Sequence, residues 1–575
     1  MNCNVPIEMT LADGLQWLNN APLPAVQKRD LESAINILSR WCKKPLSEMQ
    51  LNPTDLRQAF AGLSPGSVGV KKKTLSNIKS RLATTLDLIG RGSRKAHKAT
   101  LSAEWLTFLN KVGDRYSTVL LRRFGRYCSS LELQPSQVCD RLLVDFLHSL
   151  ELDLSVNKPR RAHRETIRLW NRYAPRSGLQ GNLSLPSYTN AYCLPWSAFP
   201  QKLVDDVESY LTKQATNDPF DLSAPLRALK PSSINTYRDR LRRFASCVVL
   251  GGLPPERLAS LRDLVRPEVI DCGLRYLVNR RDSRYLAGTI ATLLATIARD
   301  RVGLAEPEVK EIVELASRLK TKNKGLSKKV RERLHPLKHE PNLARLFLFP
   351  IALLRALTRK RDITKSDAYL FERVLALAIL TVCPLRIGSL CSLRLDRHLR
   401  WTSGPMKGDL SVEFAEGELK NDEPASFPIP KEVADYIRVY CNRFRPLVKP
   451  PKSPFLFSGR TADQPKGKGG MSTQLRLLVF ERLGLWVFPH IFRHVVHLVI
   501  LRRFPGAYAL VARVLTHRSV ATTIKNYAHF DAEISMRAYQ RLVTEAQKGG
   551  GQERFADASV IAYALERERP AHVRT

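Results

Sequence analysis

Residues 489–494 read Pro-His-Ile-Phe-Arg-His, and this stretch says most about how the C-terminal part of the chain folds. Proline is favoured at the first position of a helix, so the stretch predicts a helix that begins near Pro489. His490 and Arg493 are three residues apart and therefore leave the same face of that helix. The planar guanidinium of arginine donates parallel hydrogen bonds to phosphate, so this face suits an anionic ligand.

Two other stretches complete the pattern. Arg386 lies in the apolar helical stretch of residues 385–390, and His517 precedes Tyr527 by ten residues. Together with Arg493, these side chains suit a phosphoryl-transfer site that needs no metal ion, because two arginines can clamp the non-bridging oxygens of one phosphodiester.

The histidines of the same helix allow another interpretation. His490, His494 and His497 have the helical spacing of metal ligands. Arg493 shares their face and no carboxylate ligand lies nearby in the sequence, so we expect no metal ion there. His494 and His497 are predicted to be packing residues.

Apolar residues recur three and four positions apart over most of the chain, which predicts a mainly α-helical protein. Strand patterns cluster at residues 410–430, where Leu-Ser-Val-Glu-Phe and Ser-Phe-Pro-Ile-Pro flank a polar turn. The sequence therefore predicts a small β-hairpin or sheet in the C-terminal domain, with Lys420 in the turn.

The charge balance indicates the kind of partner. The chain of 575 residues has 92 Lys and Arg against 54 Asp and Glu, a net charge of +38, and is 44% hydrophobic, as expected for several folded domains. Each basic side chain set against a phosphate releases a counterion, so nucleic acid is the favoured partner. We expect no membrane association, because the sequence has neither an amphipathic basic anchor nor a long uninterrupted apolar span.

The cysteines and the first residues indicate the compartment. The ten cysteines contain no CxxC pair, which argues against zinc modules and a disulfide framework. Residues 1–10 lack the features of a secretory signal. We expect a cytoplasmic protein that is associated with the nucleoid when bound to DNA.

The N-terminal part repeats one pattern three times. A helix ends in a Leu-x-Arg-aromatic step and is followed by a Pro-containing turn, a second apolar helix and a basic start to another helix. The three steps lie at residues 38–41, 121–124 and 241–244, and the basic starts lie at residues 71–73, 158–161 and 280–281. Residues 501–504 repeat the tetrapeptide in an unrelated context, so chance remains an alternative to three copies of one helical unit.

Composition divides the chain into seven segments. Pro, Ser and Asn are concentrated at residues 177–200, nine Lys or Arg and one acid occur at residues 318–338, and three glycines occupy residues 549–551. The predicted segments are a first helical unit (1–100), a second helical unit (101–176), a linker (177–215), a third helical domain (216–317), a basic linker along the phosphate backbone (318–340), a C-terminal domain (341–548) and a Gly-hinged tail (549–575).

The order of these residues resembles that of the tyrosine recombinases, also called the phage-integrase family. The matching residues are Arg386, Lys420, His490, Arg493, His517 and Tyr527. The resemblance covers about residues 341–548, and residues 228–300 are similar to the family's core-binding domain. It implies a tyrosine-recombinase catalytic fold preceded by helical SAM-like DNA-binding units.

The resemblance also implies the chemistry. Tyr527 is the nucleophile and forms a 3′-phosphotyrosyl link, which stores the bond so that rejoining needs no ATP, metal or other cofactor. Arg386 and Arg493 hold the phosphate and stabilise its transition-state charge.

The remaining roles follow from the same resemblance. His490 assists proton transfer from the tyrosine, His517 donates a hydrogen bond to the phosphate, and Lys420 protonates the 5′-oxygen leaving group. Lys407 lies nearby in the sequence and is an alternative to Lys420.

Three positions depart from the family's common pattern. Ser389 stands where an acidic residue is frequent, Thr516 where glycine is usual, and Pro384 where glycine often precedes the Leu-Arg pair. None of these removes a reacting group, but Ser389 leaves the support of Arg386 open.

The sequence thus predicts a site-specific DNA recombinase or integrase of a mobile element. Its implied partners are double-stranded DNA with specific recombination sites and three further copies of itself, or a partner recombinase. The tail after Gly551 is a candidate to dock on a neighbouring copy. A type IB topoisomerase-like enzyme is one alternative, against which His490 argues, and a non-catalytic DNA-binding protein is another.

Overall fold

Helices make up most of the described chain, and the only named sheet in the described residues has three strands. The computed structural model describes residues 9–93, 96–188, 193–216, 220, 225, 228–281, 284–319, 325–448, 452–517, 519–521, 523–524, 536 and 539–545. The chain divides into two bodies, residues 1–184 with 324–575 and residues 185–323.

The first body begins with two helical units, each built around its own apolar core. The first unit contains α1 (Leu11–Asn20), α2 (Ala25–Cys42), α3 (Pro53–Ala61), α4 (Pro65–Val68) and α5 (Lys72–Leu88). The second unit contains α6 (Ala103–Asn110), α7 (Arg115–Ser129), α8 (Asp140–Leu152) and α9 (Pro159–Tyr173).

The second body is a third helical unit with a continuous apolar core. It contains α10 (Gln201–Ala215), α11 (Pro231–Leu250), α12 (Leu261–Leu264), α13 (Pro267–Arg281), α14 (Arg284–Ile297) and α15 (Glu306–Leu319).

The three units share the order of helix and turn that the repeated sequence pattern predicts, but Arg280 and Arg281, predicted to begin a helix, are the last residues of α13. In each, a long helix carries the Leu-x-Arg-aromatic step, a 3-10 turn follows, and further helices complete the core. The turns are Leu46–Glu48, Pro135–Gln137 and Pro255–Arg257. The leucines that open the steps, Leu38, Leu121 and Leu241, are fully buried.

The rest of the first body packs mainly around one large core, which includes the sheet, and a smaller core lies nearer its C-terminal end. Its elements are α16 (Lys328–Leu334), α17 (Glu340–Thr358), α18 (Lys365–Val382), α19 (Ile387–Cys391), β1 (Leu399–Trp401), β2 (Leu410–Phe414), β3 (Ala425–Ile429), α20 (Lys431–Val439), α21 (Lys468–Leu483), α22 (Pro489–Arg503) and α23 (Tyr508–Val514).

The sheet is antiparallel in the order β1-β2-β3. Leu410, Val412 and Phe414 alternate along β2 and are buried, and Val412 pairs with Phe427 of β3. Pro428 lies on the edge strand β3, where a missing N–H breaks no central ladder. The predicted hairpin and the mainly α fold class with a small sheet are confirmed, and β1 is an additional strand.

The first unit contacts this core beside the chain that leads into α22. A Cβ on Gly66 would lie 2.3 Å from the carbonyl carbon of Arg482, so a larger residue cannot approach this backbone so closely. Lys72 Nζ lies 2.7 Å from Glu481 Oε1 in the same contact.

Two segments predicted as linkers contain core helices. Residues 177–215 include α10, whose apolar face contributes Leu203 and Leu211 to the core of the third unit. Residues 318–340 include α16, and Leu334 and Leu337 are buried in the large core. In both segments the linker prediction follows from the polar or basic composition, although apolar side chains also recur there at helical spacing.

By length and composition alone, α17 could cross a membrane. Leu346, Leu354 and Leu357 of this helix are buried in the large core.

Candidate active site

The helix predicted from residues 489–494 is α22. Pro489 is its first residue, and the extended Phe488 precedes it. His490 is exposed at the start of the helix, whereas Arg493, one turn later, is buried with 6% of its surface exposed. The helix therefore presents a surface imidazole next to a buried cation.

Arg493 joins three separate parts of the chain. Its Nη1 donates to the carbonyl oxygen of Pro384 at 2.7 Å, and its Nη2 donates to that of Leu515 at 2.6 Å. Nη2 also lies 3.3 Å from Nε2 of His517. The guanidinium thus fixes both the loop before Arg386 and the chain around His517.

Arg386 follows that loop and precedes α19. It is partly exposed, and desolvation lowers the pKa of its guanidinium. No carboxylate of the described residues contributes to this pKa, and Ser389, three residues further on, has none to offer. The site therefore holds a cation whose charge an anionic ligand would compensate.

His490 lies within the electrostatic reach of both arginines. Desolvation of the ring is the main cause that lowers the pKa of His490, and the charges of Arg493 and Arg386 lower it further. Its ring centroid is 4.7 Å from that of His494, at an interplanar angle of 85°. At neutral pH the imidazole of His490 is therefore uncharged and can accept a proton.

His517 is uncharged as well. Burial, followed by the charges of Arg493, Arg386 and His490, lowers its pKa to about 4. Since a guanidinium only donates, Nε2 of His517 accepts from Arg493 and the proton resides on Nδ1. Nδ1 donates to Oγ1 of Thr523 at 2.9 Å.

The backbone before His517 has an uncommon conformation. Thr516 has a φ of 51°, in the left-handed region that favours glycine. A glycine at position 516 would adopt this conformation without strain. The chain then turns back, and the N–H of His517 donates to the carbonyl oxygen of Ala512 at 2.8 Å.

The two candidate lysines lie in different loops. Lys420 is exposed in the β2–β3 connection, in a turn closed by a 3.2 Å bond from the N–H of Asp422 to the carbonyl oxygen of Leu419. Lys407 is exposed in the β1–β2 connection, which Arg438 holds through the carbonyl oxygen of Met406 at 2.7 Å. Neither lysine hydrogen-bonds to the described residues around Arg493.

The structure therefore brings Arg386, His490, Arg493 and His517 close together. Tyr527 lies outside the described residues. Sequence reasoning missed Thr523, which is fully buried and fixes the His517 ring. No signal separated it from the adjacent threonine in the sequence.

His494 and His497 are buried, as predicted for packing residues. Burial is the main cause that lowers the pKa of each to about 3. Within the described ranges, no group of three or more His, Cys, Asp or Glu side chains could hold a metal ion.

No protein-family model and no curated protein matches the sequence. Among solved structures, the XerA recombinase is similar at a TM-score of 0.25 and 17% identity, over 58% of this chain and 98% of that one. The XerH site-specific recombinase, in a post-cleavage complex with palindromic difH substrate, is similar at a TM-score of 0.31 and 15% identity. That match covers 60% of this chain and 98% of the XerH chain. Both TM-scores are below 0.5, so the proposed function rests on the residues of the site.

Proposed function

We propose that the chain is a tyrosine-type site-specific DNA recombinase. The observation that carries the proposal is the position of Arg493, which links the Arg386 loop to His517 beside an uncharged His490. Two cations and two neutral imidazoles in one small region suit an anionic substrate that must exchange protons during reaction.

In the proposed cleavage step, Tyr527 Oη attacks the scissile phosphorus and the bond to the 5′-oxygen breaks. His490 takes the phenolic proton, directly or through water, and Lys420 gives a proton to the departing oxygen. Arg386 and Arg493 stabilise the charge on the non-bridging oxygens. Rejoining reverses these transfers, so no external energy source is required.

The role of His517 depends on its protonation. Its Nε2 accepts from Arg493 in the free protein, so donation to a phosphate requires a proton on Nε2. A dianionic transition state favours this proton, because an opposite charge nearby raises the pKa of an imidazole. His517 therefore positions Arg493 before substrate binds and donates to phosphate afterwards.

The biological roles of integration, excision or transposition, the tetramer on two DNA sites and the nucleoid location belong to the same proposal. All of them require binding to DNA, which is supported by the net charge of +38 and by three helical units that can extend a DNA footprint.

A covalent-capture experiment tests the proposal. The full chain is incubated with a pool of nicked duplexes that contain a randomised segment, and adducts that survive denaturation are isolated and sequenced. We expect an adduct at a defined sequence that is absent in Tyr527→Phe. No adduct, or an adduct that persists in Tyr527→Phe, contradicts the proposal.

The same material separates the alternatives. Relaxation of a supercoiled plasmid that lacks the selected sequence indicates a type IB topoisomerase. Sequence-specific binding without any adduct indicates a non-catalytic DNA-binding protein.

A further inference from the structure

Helix α9 of the second unit carries arginines along its outward face. Arg161, Arg164, Arg168 and Arg172 are all exposed. At 100° per residue they lie within an arc of about 80° and extend over about 17 Å of the helix. We call these four residues the α9 arginine face.

The opposite side of α9 holds the helix in its unit. Ile167, Trp170 and Tyr173 are buried in the core, and Trp170 Nε1 donates to the carbonyl oxygen of Gln180 at 2.9 Å. The α9 arginine face is therefore displayed on a helix whose orientation is fixed by packing.

Few acids offset this charge. Glu165 forms an i,i+3 pair with Arg168 at 3.1 Å, but the Arg168 side chain is 65% exposed, so the pair is weak. At the end of the helix, the guanidinium groups of Arg172 and Arg176 lie 5.4 and 5.2 Å from the Tyr173 ring centroid. Tyr173 thus helps to position the last arginine of the face.

The corresponding helix of the first unit, α5, uses its cations differently. Lys72 pairs with Glu481 at 2.7 Å, and Arg81 pairs with Asp30 at 2.7 Å. Both of these α5 side chains pair with acids outside their own helix, although the Lys72 side chain is 81% exposed. On α9, the pair of Arg168 with Glu165 lies within the helix.

We propose that the α9 arginine face binds the phosphate backbone of duplex DNA, independently of base sequence. This proposal rests on the proposed function only in taking DNA as the substrate. Arginine forks suit phosphate oxygens, and a row along one helix can follow one strand. An anionic membrane is the weaker choice, because the large apolar side chains of α9 are buried and none flanks the arginines for insertion.

Salt-dependent binding of the full chain to a 60-base-pair duplex without a recombination site tests the proposal. The variant Arg161→Gln, Arg164→Gln, Arg168→Gln, Arg172→Gln should reduce the slope of log K against log salt by up to about 3.6 and lower the affinity at least about tenfold near physiological salt. A control with Lys98, Lys111, Arg115 and Arg122 changed to glutamine loses the same charge from exposed positions of the same unit. We expect its slope to change by less than about one.

A substitution that is expected to raise the affinity separates the proposed effect from misfolding, because misfolding would only lower the affinity. Glu165→Gln removes the acid beside Arg168 and should raise the affinity about two- to fivefold, since local repulsion of phosphate is lost. Thermal unfolding of every variant is measured in parallel.

Several outcomes overturn the proposal. These are equal losses in the two quadruple variants, an unchanged slope in the α9 variant, no gain in Glu165→Gln, or an effect confined to double-stranded RNA or to phosphatidylglycerol vesicles. Failure of covalent capture with an intact α9 effect would instead refute only the recombinase function.

Discussion

The arginines of the catalytic site and those of the α9 arginine face differ in how water and protein surround them. Arg493 is 6% exposed and its guanidinium is fixed by two carbonyl oxygens and an imidazole. The Arg168 side chain is 65% exposed and pairs weakly with one acid of its own helix.

The difference assigns the two sets to different tasks. A fixed, desolvated cation interacts strongly with charge that develops at one point, because water neither screens it nor has to reorganise. An exposed cation exchanges bound counterions for DNA phosphates, so it contributes affinity that falls with salt. Arginine side chains are thus expected to contribute to the rate of cleavage at the catalytic site and to DNA affinity on the α9 arginine face.

Arg493→Lys should show the largest effect. Lysine cannot reproduce the fork that reaches both Pro384 and Leu515, so we expect the rate of strand cleavage to fall about a thousandfold while DNA affinity changes less than about threefold. Single-turnover cleavage of the captured sequence and salt-dependent binding measure the two quantities.

Arg386→Lys is the matched control, because it alters the second cation without removing those carbonyl contacts. It should also lose cleavage but keep its unfolding temperature, whereas Arg493→Lys should unfold at a lower temperature. A normal cleavage rate in both variants would show that neither Arg386 nor Arg493 stabilises the transition state.

The lysine in the β2–β3 turn is tested by comparison with its neighbour. If Lys420 protonates the leaving group, Lys420→Ala should slow cleavage about a hundredfold and Lys407→Ala should not. A substrate with sulfur at the 5′-bridging position needs no proton on its leaving group and should rescue Lys420→Ala. If Lys407→Ala is the slow variant and the sulfur substrate rescues it, Lys407 and not Lys420 protonates the leaving group.

Thr523 should have an intermediate effect. Thr523→Val removes the acceptor for Nδ1–H of His517, so the ring loses its fixed orientation and cleavage should slow about tenfold. Thr523→Ser keeps the hydroxyl and should retain most of the rate. Equal rates for valine and serine would show that the hydroxyl has no positioning role.

The buried histidines predict loss of stability in acid. His494 and His497 have folded-state pKa values of about 3, against about 6.5 when unfolded, so between these values the unfolded chain binds more protons. Their contribution is fully present above pH 6.5 and falls as the pH drops towards 3. Urea unfolding at pH 5 and 7.5 should show this decrease, and His494→Asn should reduce it; an unchanged pH dependence would contradict the assignment.

The smallest effect is expected at Thr516. Thr516→Gly relieves the left-handed strain of about 1–2 kcal/mol, partly offset by the flexibility of glycine in the unfolded chain, so the free energy of unfolding should rise by up to about 1 kcal/mol. Urea unfolding measures the change, and Thr516→Ala, which keeps the strain, is the control. Destabilisation by glycine would show that the threonine side chain is needed.

Particular residues show what sequence could predict. The hairpin followed from the alternation of Leu410, Val412 and Phe414, and α22 followed from Pro489 and the spacing of His490 and Arg493. Local periodicity encodes such elements directly. Strand β1 escaped prediction because three residues cannot show a convincing alternation.

The contacts of the site could not be predicted in the same way. Arg493 meets the carbonyl oxygen of Pro384 across 109 positions of the sequence, and backbone oxygens carry no residue-specific signal. The pairing of His517 with Thr523 depends on the turn at Thr516. Helices α10 and α16 lie in segments predicted as linkers, because that prediction rests on the Pro/Ser/Asn-rich stretch before α10 and on the lysines and arginines around α16.

The central claim is that the two sets of arginines act separately, and one paired measurement tests it most directly. The cleavage rate constant and the salt slope of binding are determined on the same duplex for Arg493→Lys and for the α9 quadruple variant, with saturating protein in the cleavage assay. We predict that Arg493→Lys loses cleavage with an unchanged slope and that the α9 variant loses slope with an unchanged cleavage rate. If each variant changes both quantities to a similar extent, the separation of the two sets is contradicted.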